Sequence, residues 1–223
     1  MNTYNIPNWI KNDKSFPFWF SLIKESFVFF DFCKVENVLD FGSGNGKFLH
    51  LLDFFIPNKN LTGVEIDFDL IKKSNLKSKS NINYRHSQEL SDFKEGYFDL
   101  VYSQEVIYTI ENLVAHAQQI FTLLKKGGHY IFTIGCHIDN PTWCYRREKI
   151  IETEKYPAYD YSLESISRMF FDAGFRISVK KLPVHYPLKY IPSVQGEFNT
   201  INDLLLSSEE NKYLFLLLKP EKI

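Results

Sequence analysis

Hydrophobic and polar positions along the first half of the chain alternate between two periods. Short apolar runs at residues 37–41, 61–66, 81–86 and 98–103 predict four buried strands. The segment after the first strand, GKFLHLLDFF, has apolar positions at helical spacing, and a second helix is expected from about Asp69 to Lys77. Alternating strands and helices form a parallel sheet with right-handed crossovers, so this pattern predicts an α/β domain.

The second half of the chain continues this alternation and then interrupts it. Residues 111–128 have helical spacing and stop at Gly127-Gly128, which predicts a helix end there, and HYIFTIG predicts a fifth strand. Ser162 is the predicted N-cap of a helix that closes at Gly174, and the strands RISVKKL and YLFLLLK follow. Prolines and a glycine break the segment between those two strands, which predicts a long insertion.

The N-terminal part of the chain predicts a cap on this domain. Residues 16–32 are apolar on nearly every side, as expected of a helix that packs against other elements. The chain has 223 residues, which is too short for two domains of ordinary size. We predict one domain, with a helical cap at 1–34, a core at 35–182, a lid insertion at 183–212 and a final strand at 213–219.

Composition and charge narrow the range of partners. The formal net charge is −1, so no overall positive field attracts nucleic acid, and we expect no nucleic-acid partner. The three cysteines are too scattered for a disulfide framework or a zinc site, and they fit a reducing compartment. No apolar run approaches the ~18 residues of a membrane span, and the start lacks the layout of a signal peptide. We expect a cytoplasmic protein without membrane contact, as a monomer or a homodimer.

A glycine-rich motif, DFGSGNG, begins at Asp40, at the end of the first predicted strand. Glycines permit positive φ angles and let backbone N–H groups lie against a ligand, while the next helix presents its positive end. A dinucleotide-binding loop requires Gly-x-Gly-x-x-Gly. Counted from Gly42 and Gly44, the third glycine would fall on Lys47, so the spacing disfavours a nicotinamide cofactor. A tight turn without a ligand is the other interpretation.

This loop resembles the first motif of class I S-adenosylmethionine-dependent methyltransferases, an acid followed by three alternate glycines. Asp40, Gly42, Gly44 and Gly46 match all four positions, and the resemblance extends over about residues 37–182 and the last strand. It implies a Rossmann-like fold: a doubly wound, seven-stranded, mainly parallel sheet, to which the helical cap and the lid insertion are added. It also implies S-adenosylmethionine as cofactor and S-adenosylhomocysteine as product.

Other motifs of the family align with later strand ends. Glu65 ends the second strand, where the family's acid receives the ribose hydroxyls, whereas Asp67 is expected to be a helix N-cap. His86 stands where the family has an acid near the adenine, so this chain departs from the pattern there. The resemblance implies cofactor contacts by Asp40, Gly42, Ser43, Gly44, Gly46, Glu65, Ile66, Ser87, Gln88 and Ser103.

The acceptor side is expected after the fourth and fifth strands, because ligands bind at the carboxyl ends of strands in such sheets. His137 follows the fifth strand, where it is either a base for a hydroxyl acceptor or a hydrogen-bonded loop residue. Tyr108 and Glu105 are the other catalytic candidates. Arginines can pair with an anionic acceptor, and aromatic side chains can wall a small-molecule site. The substrate-binding candidates are Trp143, Arg146, Arg147, Tyr159, His185 and Tyr186.

These residues and the resemblance predict methyl transfer to a small polar or anionic metabolite, at oxygen, as in bacterial secondary-metabolite or surface-sugar modification. No carboxylate cluster has metal-ligand spacing, so a metal-independent reaction is expected. An RNA or protein methyltransferase is the first alternative, and it should carry a basic face or added recognition elements. A catalytically silent module that binds S-adenosylmethionine is the second, and His86 is the residue that favours it.

Overall fold

A seven-stranded mixed sheet forms the centre of the computed structural model, which describes residues 5–154, 156–192 and 197–221. The strands are β1 Asn37–Phe41, β2 Asn60–Glu65, β3 Ile82–His86, β4 Phe98–Gln104, β5 Leu124–Ile134, β6 Arg176–Lys181 and β7 Tyr213–Leu218. Their order is β3-β2-β1-β4-β5-β7-β6. Strands β1 to β5 pair in parallel, and β7 is antiparallel to both β5 and β6. The predicted doubly wound fold is confirmed.

Helices cover both faces of this sheet. They are α1 Asn8–Lys11, α2 Phe16–Phe29, α3 Lys47–Phe55, α4 Phe68–Asn75, α5 Leu113–Leu123, α6 Trp143–Glu154, α7 Leu163–Asp172 and α8 Ile201–Leu205, which continues into a π turn at Leu206–Glu210. Helices α2 and α3 pack into one apolar cluster with the sheet, and α5 and α7 pack into another. In the described parts of the chain, no helix has the length and apolar character needed to cross a lipid bilayer.

Local sequence explains where several helices begin. Asp67 caps α4, because its side chain accepts hydrogen bonds from the backbone N–H groups of Asp69 and Leu70, as predicted. Ser162 caps α7, and its hydroxyl and that of Ser165 each bond the other residue's backbone N–H. Both N-caps expected from the sequence are confirmed.

The end of α5 differs from the prediction. The helix ends at Leu123 and not at the pair Gly127-Gly128, because Leu124 already pairs with Phe98 of β4. The next paired positions are Leu100 and His129, so one residue of β4 faces the four residues 125–128 of β5. The two glycines therefore lie in a bulge of the sheet, which bends the strand without ending a helix.

The N-terminal helix α2 contributes to the core, as its apolar composition predicts. Phe16, Leu22 and Ile23 are fully buried in the cluster that also contains α3. Burying side chains of this size stabilises the fold by about 1.5 to 3 kcal/mol each. Residues 1–4 of the predicted cap lie outside the described residues, so the prediction holds for the helix itself.

The insertion before β7 leaves the sheet and returns to it at one point. The backbone N–H of Leu182 donates to the carbonyl of Lys212 at 2.9 Å, which joins the two ends of the segment. Between them the chain contacts the N-terminal segment, because the Nζ of Lys189 donates to the carbonyl of Asn12 at 2.9 Å and the N–H of His185 donates to Ser21 at 3.1 Å. Residues 193–196 of the predicted insertion lie outside the described residues.

Candidate functional site

The loop between β1 and α3 lies where the strand order of the sheet reverses, since β1 is flanked by β2 on one side and β4 on the other. Gly42, Gly44 and Gly46 all have positive φ angles there. A Cβ on Gly46 would overlap the ring of Tyr84, so packing requires that glycine. A Cβ on Gly44 would meet no atom within 4 Å. Gly44 thus exposes its backbone to an open space, as a ligand-binding loop requires.

Two carboxylates lie beneath this loop. Asp40 is 1% exposed, and its Oδ1 has no hydrogen-bond partner among the described residues. Glu65 is also buried, and its Oε2 accepts a hydrogen bond from the N–H of Gly44 at 2.8 Å. Burial and the neighbouring charge of Glu65 raise the pKa of Asp40 to about 8. A cation placed here would relieve both effects, so the site favours a positively charged group.

A cavity of about 940 Å³ opens beside Asp40, which lines it, whereas Glu65 does not. Its volume suits a cofactor or a small ligand. Five parts of the chain form its walls: the N-terminal segment around Asp13, the glycine loop, the carboxyl ends of β4 and β5, helix α6 and the insertion. An ion pair of 2.6 Å between Asp13 and Lys47 joins the first two of these walls.

Two cationic side chains are buried in the wall of the cavity. Arg146 of α6 is 7% exposed, and its guanidinium donates to the hydroxyl of Ser207 at 2.8 Å and to the carboxylate of Glu197 at 3.2 Å. Lys212, the residue before β7, is 5% exposed and donates to the carboxylate of Glu105 at 2.7 Å. Buried charges of this kind are retained only with partners, so the cavity has a polar, charge-paired wall.

Glu105 follows β4 with a φ of 54°, a conformation that is rare outside glycine. Its second carboxylate oxygen accepts the N–H of Gly135 at 3.1 Å. Burial alone would raise the pKa of Glu105, but the charges of Lys212 and Arg146 hold that pKa below its ordinary value. Glu105 is therefore ionised, and its partners hold its carboxylate in place. Its positive φ angle is a backbone strain of the kind that is typical of functional sites.

Four of the predicted cofactor residues, Asp40, Gly42, Ser43 and Gly44, line the cavity. The predicted adenine-side residues gather around His86 at the end of β3. The Nε2 of His86 lies 3.2 Å from the carbonyl of Ile66, and the backbone N–H of Gln88 donates to its Nδ1. The imidazole stacks on Phe68 with the ring centroids 4.3 Å apart, and Ser87 follows it in the same turn.

Two other predicted cofactor residues have structural partners. Gly46 has its carbonyl bonded to the Tyr84 hydroxyl at 3.1 Å. Ser103 is fully buried and donates to the carbonyl of Phe41, and it does not line the cavity.

The three catalytic candidates do not come together. Tyr108 and Glu105 line the cavity, but His137 does not. His137 is fully buried, its Nε2 lies 2.9 Å from the carbonyl of Asn211, and its Nδ1 has no hydrogen-bond partner among the described residues. Cys136 lines the cavity in its place, and burial raises the pKa of that thiol to about 12. In this structure His137 is a hydrogen-bonded loop residue, the second of its two interpretations, and it does not line the cavity; its role as a base stays a prediction.

Of the six substrate-binding candidates, only Arg146 lines the cavity. Trp143 and Arg147 instead bond the carboxylate of Asp160, at 2.8 and 3.2 Å. The backbone N–H of Tyr159 donates to the carbonyl of Tyr108 at 2.7 Å.

The two candidates from the insertion pack against α2. His185 lies 3.4 Å from the carboxylate of Glu25, and Tyr186 packs edge-on against Phe16. None of these five residues lines the cavity.

The sequence interpretation missed most of the charge-paired wall. Glu197, Ser207, Ser208 and Lys212 all come from the insertion and line the cavity. Lys212 could have been noticed in the sequence, because it is a charged residue directly before the apolar final strand. No spacing rule links the insertion to Glu105, which is 107 positions away in the chain.

Comparison with known proteins agrees with this geometry. Residues 16–178 match a family model described as a methyltransferase domain. A curated relative, malonyl-[acyl-carrier protein] O-methyltransferase 2 of Ilyobacter polytropus, is 27% identical over 136 residues, which are 60% of this chain and 51% of that protein. The chain thus spans about half the length of that relative.

Two solved structures share the fold. One is the methyltransferase in the complex with the Haloferax volcanii Trm112 methyltransferase activator, with a TM-score of 0.74, 15% identity, and coverage of 96% of this chain and 94% of that one. The other is an S-adenosylmethionine-dependent methyltransferase from Mesorhizobium loti, with a TM-score of 0.65, 13% identity, and coverage of 93% and 99%. At these identities the similarity establishes the architecture.

Proposed function

The chain belongs to the class I S-adenosylmethionine-dependent methyltransferases, and from that premise we propose that it methylates a carboxylate oxygen of a small anionic acceptor. The cofactor is S-adenosylmethionine. The observation that carries the proposal is the pair of buried cations, Arg146 and Lys212, in the wall of the cavity. A guanidinium matches a carboxylate with two parallel hydrogen bonds, so Arg146 suits this acceptor class.

The cofactor would be held by the glycine loop and the two carboxylates. Asp40 has an unpaired buried oxygen and a raised pKa, so it suits the ammonium of the methionine part. Glu65 would accept the ribose hydroxyls, and the open side of Gly44 would let the backbone approach the ligand. When bound, the cofactor supplies an activated methyl group on a sulfonium.

The protein's own contribution to the reaction is orientation. None of the described residues that line the cavity is a histidine, and Glu105 is ionised and paired with Lys212. An acceptor carboxylate is already ionised near neutral pH, so it needs no base. Holding its oxygen in line with the methyl group supplies the rate enhancement through proximity.

A second acceptor of the same chemistry is the free carboxylate of an acyl group on an acidic carrier protein. The relative from Ilyobacter polytropus has a name that gives such a substrate. Lys189, which is exposed and lines the cavity, favours an acidic partner through its charge. A carrier-linked acceptor would thus enter with its carboxylate toward Arg146.

The experiment is to incubate the protein with methyl-labelled S-adenosylmethionine and a panel of small carboxylates, alcohols and amines. Carboxylates should yield labelled methyl esters, and Arg146→Gln should lower kcat/KM by about 10- to 100-fold, the value of one charge-assisted contact. Arg147→Gln is the matched control, because its guanidinium bonds Ala158 and Asp160 outside the cavity, and it should change kcat/KM little.

The carboxylates of the panel are tested in two forms, as free acids and linked to a carrier protein. Turnover of neutral alcohols or amines that is unaffected by Arg146→Gln would contradict the proposed acceptor class.

A further inference from the structure

The carboxylate of Glu197 occupies the position on Arg146 that an acceptor would need. We propose that Glu197 is an internal occupant of the acceptor's anion subsite, which the acceptor's carboxylate displaces, so that Glu197 sets affinity and specificity. This inference rests on the proposed function and adds to it the identity of the competing group.

The geometry of the pair indicates exchange. Arg146 lies on α6 with its side chain 8% exposed, whereas the side chain of Glu197 in the insertion is 41% exposed. Only one carboxylate oxygen, Oε1, contacts the guanidinium, at 3.2 Å, while Oε2 pairs with Lys14 at 3.1 Å. Glu197 therefore approaches a buried, fixed cation from the solvent side, and it does so through a single contact.

The subsite around Arg146 is built independently of Glu197. The hydroxyl of Ser207 accepts from Arg146 at 2.8 Å and from the amide of Asn140 at 3.3 Å, which leaves its own hydrogen for a further acceptor. The Asn140 amide is itself fixed, because it donates to the carbonyl of Gly135 at 2.6 Å and accepts from Thr142. Ser207 belongs to a π turn, a feature frequent at functional sites.

Charge balance makes displacement the favourable route. Lys212 pairs with Glu105 and Arg146 pairs with Glu197, so each of the two buried cations already has a carboxylate partner. A third carboxylate added there would be an uncompensated buried charge, which is costly. An acceptor that exchanges with Glu197 keeps the count equal, and the ion pair with Lys14 gives the displaced side chain a surface partner.

Glu197 is ionised in this arrangement. Burial would raise the pKa of its carboxyl, but the charges of Lys14 and Arg146 hold the pKa below the ordinary value. The competitor and the acceptor are thus the same functional group in the same charge state.

The test measures binding of malonate, with neutral malonamide as its counterpart, by calorimetry on the full chain saturated with S-adenosylhomocysteine. Glu197→Gln removes the competing charge and should tighten malonate binding roughly tenfold, the value of one charge-assisted contact. Malonamide binding should not change. Lys14→Gln is the matched control, since it loosens the same ion-pair chain but leaves Glu197 on Arg146, and it should not tighten malonate.

The remaining outcomes separate the two proposals. Equal malonate affinity in wild type and Glu197→Gln, combined with loss of binding in Arg146→Gln, would overturn the role of Glu197 and leave the anion subsite standing. Wild-type malonate affinity in Arg146→Gln would overturn the subsite itself. An equal gain in Lys14→Gln would assign the effect to loosening of the insertion and would also overturn the inference.

Discussion

Replacement of Gly44 by alanine should impair ligand binding far more than folding. Gly44 has a φ of 52°, and the added methyl group would meet no atom within 4 Å. The left-handed conformation costs a non-glycine residue about 1 to 2 kcal/mol, and the lost freedom of the unfolded chain returns about 0.4 to 1 kcal/mol. We therefore expect Gly44→Ala to lower the free energy of unfolding by about 1 kcal/mol.

The same methyl group lies in the cavity, where the backbone would approach the cofactor. Overpacking of this kind costs about 1 to 3 kcal/mol, which corresponds to a tenfold to hundredfold loss of S-adenosylmethionine affinity. Denaturant unfolding measures the first quantity, and calorimetric titration with the cofactor measures the second.

Gly96→Ala is the control for this experiment. Gly96 has a φ of 64°, and a Cβ there would have ordinary contacts at 3.8 and 3.9 Å with Lys125 and Leu124, at the opposite end of β4. It should lose as much stability as Gly44→Ala while keeping wild-type cofactor affinity. Wild-type affinity in Gly44→Ala, or an equal loss in Gly96→Ala, would refute the placement of the cofactor against this loop.

Two further predictions concern single titratable residues. At pH 7 Asp40 holds a proton in the free protein, so binding of a cofactor ammonium should release about one proton, and the calorimetric enthalpy should depend on the buffer's ionisation enthalpy in wild type but not in Asp40→Asn. The folded-state pKa of Asp40, about 8, is above its ordinary value of 3.8, so its contribution to stability falls as the pH rises between those two values. The fall is at most about 1.4 kcal/mol per pH unit, and Asp40→Asn should reduce it. An unchanged pH dependence of stability in that variant would contradict the argument from burial. His137→Ala should lower stability by about 2 to 4 kcal/mol through a cavity and the lost contact with Asn211, and the pH profile of turnover should keep its shape. Loss of a pH limb in that variant would restore His137 as a base.

The sequence predicted the parts of the site that depend on neighbouring residues. Asp40 lies near the end of β1, its glycines follow that strand, and Glu65 ends β2, so strand ends alone bring them together at one edge of the sheet. The sequence did not predict which residue after β5 reaches the cavity, and Cys136 lines it whereas His137 does not. Because β5 ends at Ile134, both residues lie in a loop, where no strand period fixes the direction of a side chain.

The acceptor wall could not be predicted from the sequence in the same way. Lys212 meets Glu105, and Ser207 meets Arg146, across 107 and 61 positions of the chain. The insertion that brings them together has no regular hydrophobic period that would predict its path. Its contacts with α2 and the N-terminal segment are hydrogen bonds, ion pairs and the packing of Tyr186 on Phe16, which depend on the folded structure. The same limitation applies to α5, whose end was set by pairing between β4 and β5 and not by its glycines.

The joined ends of the insertion bear on how this enzyme could acquire new specificity. Because Leu182 and Lys212 are bonded to each other, the segment between them is a closed loop, and the sheet on either side does not depend on its length. Evolution can therefore exchange or lengthen residues 183–211 at little thermodynamic cost, while the glycine loop, which is a separate part of the chain, stays unaltered. Descendants of this fold could diverge in what they methylate while sharing one unchanged methyl donor.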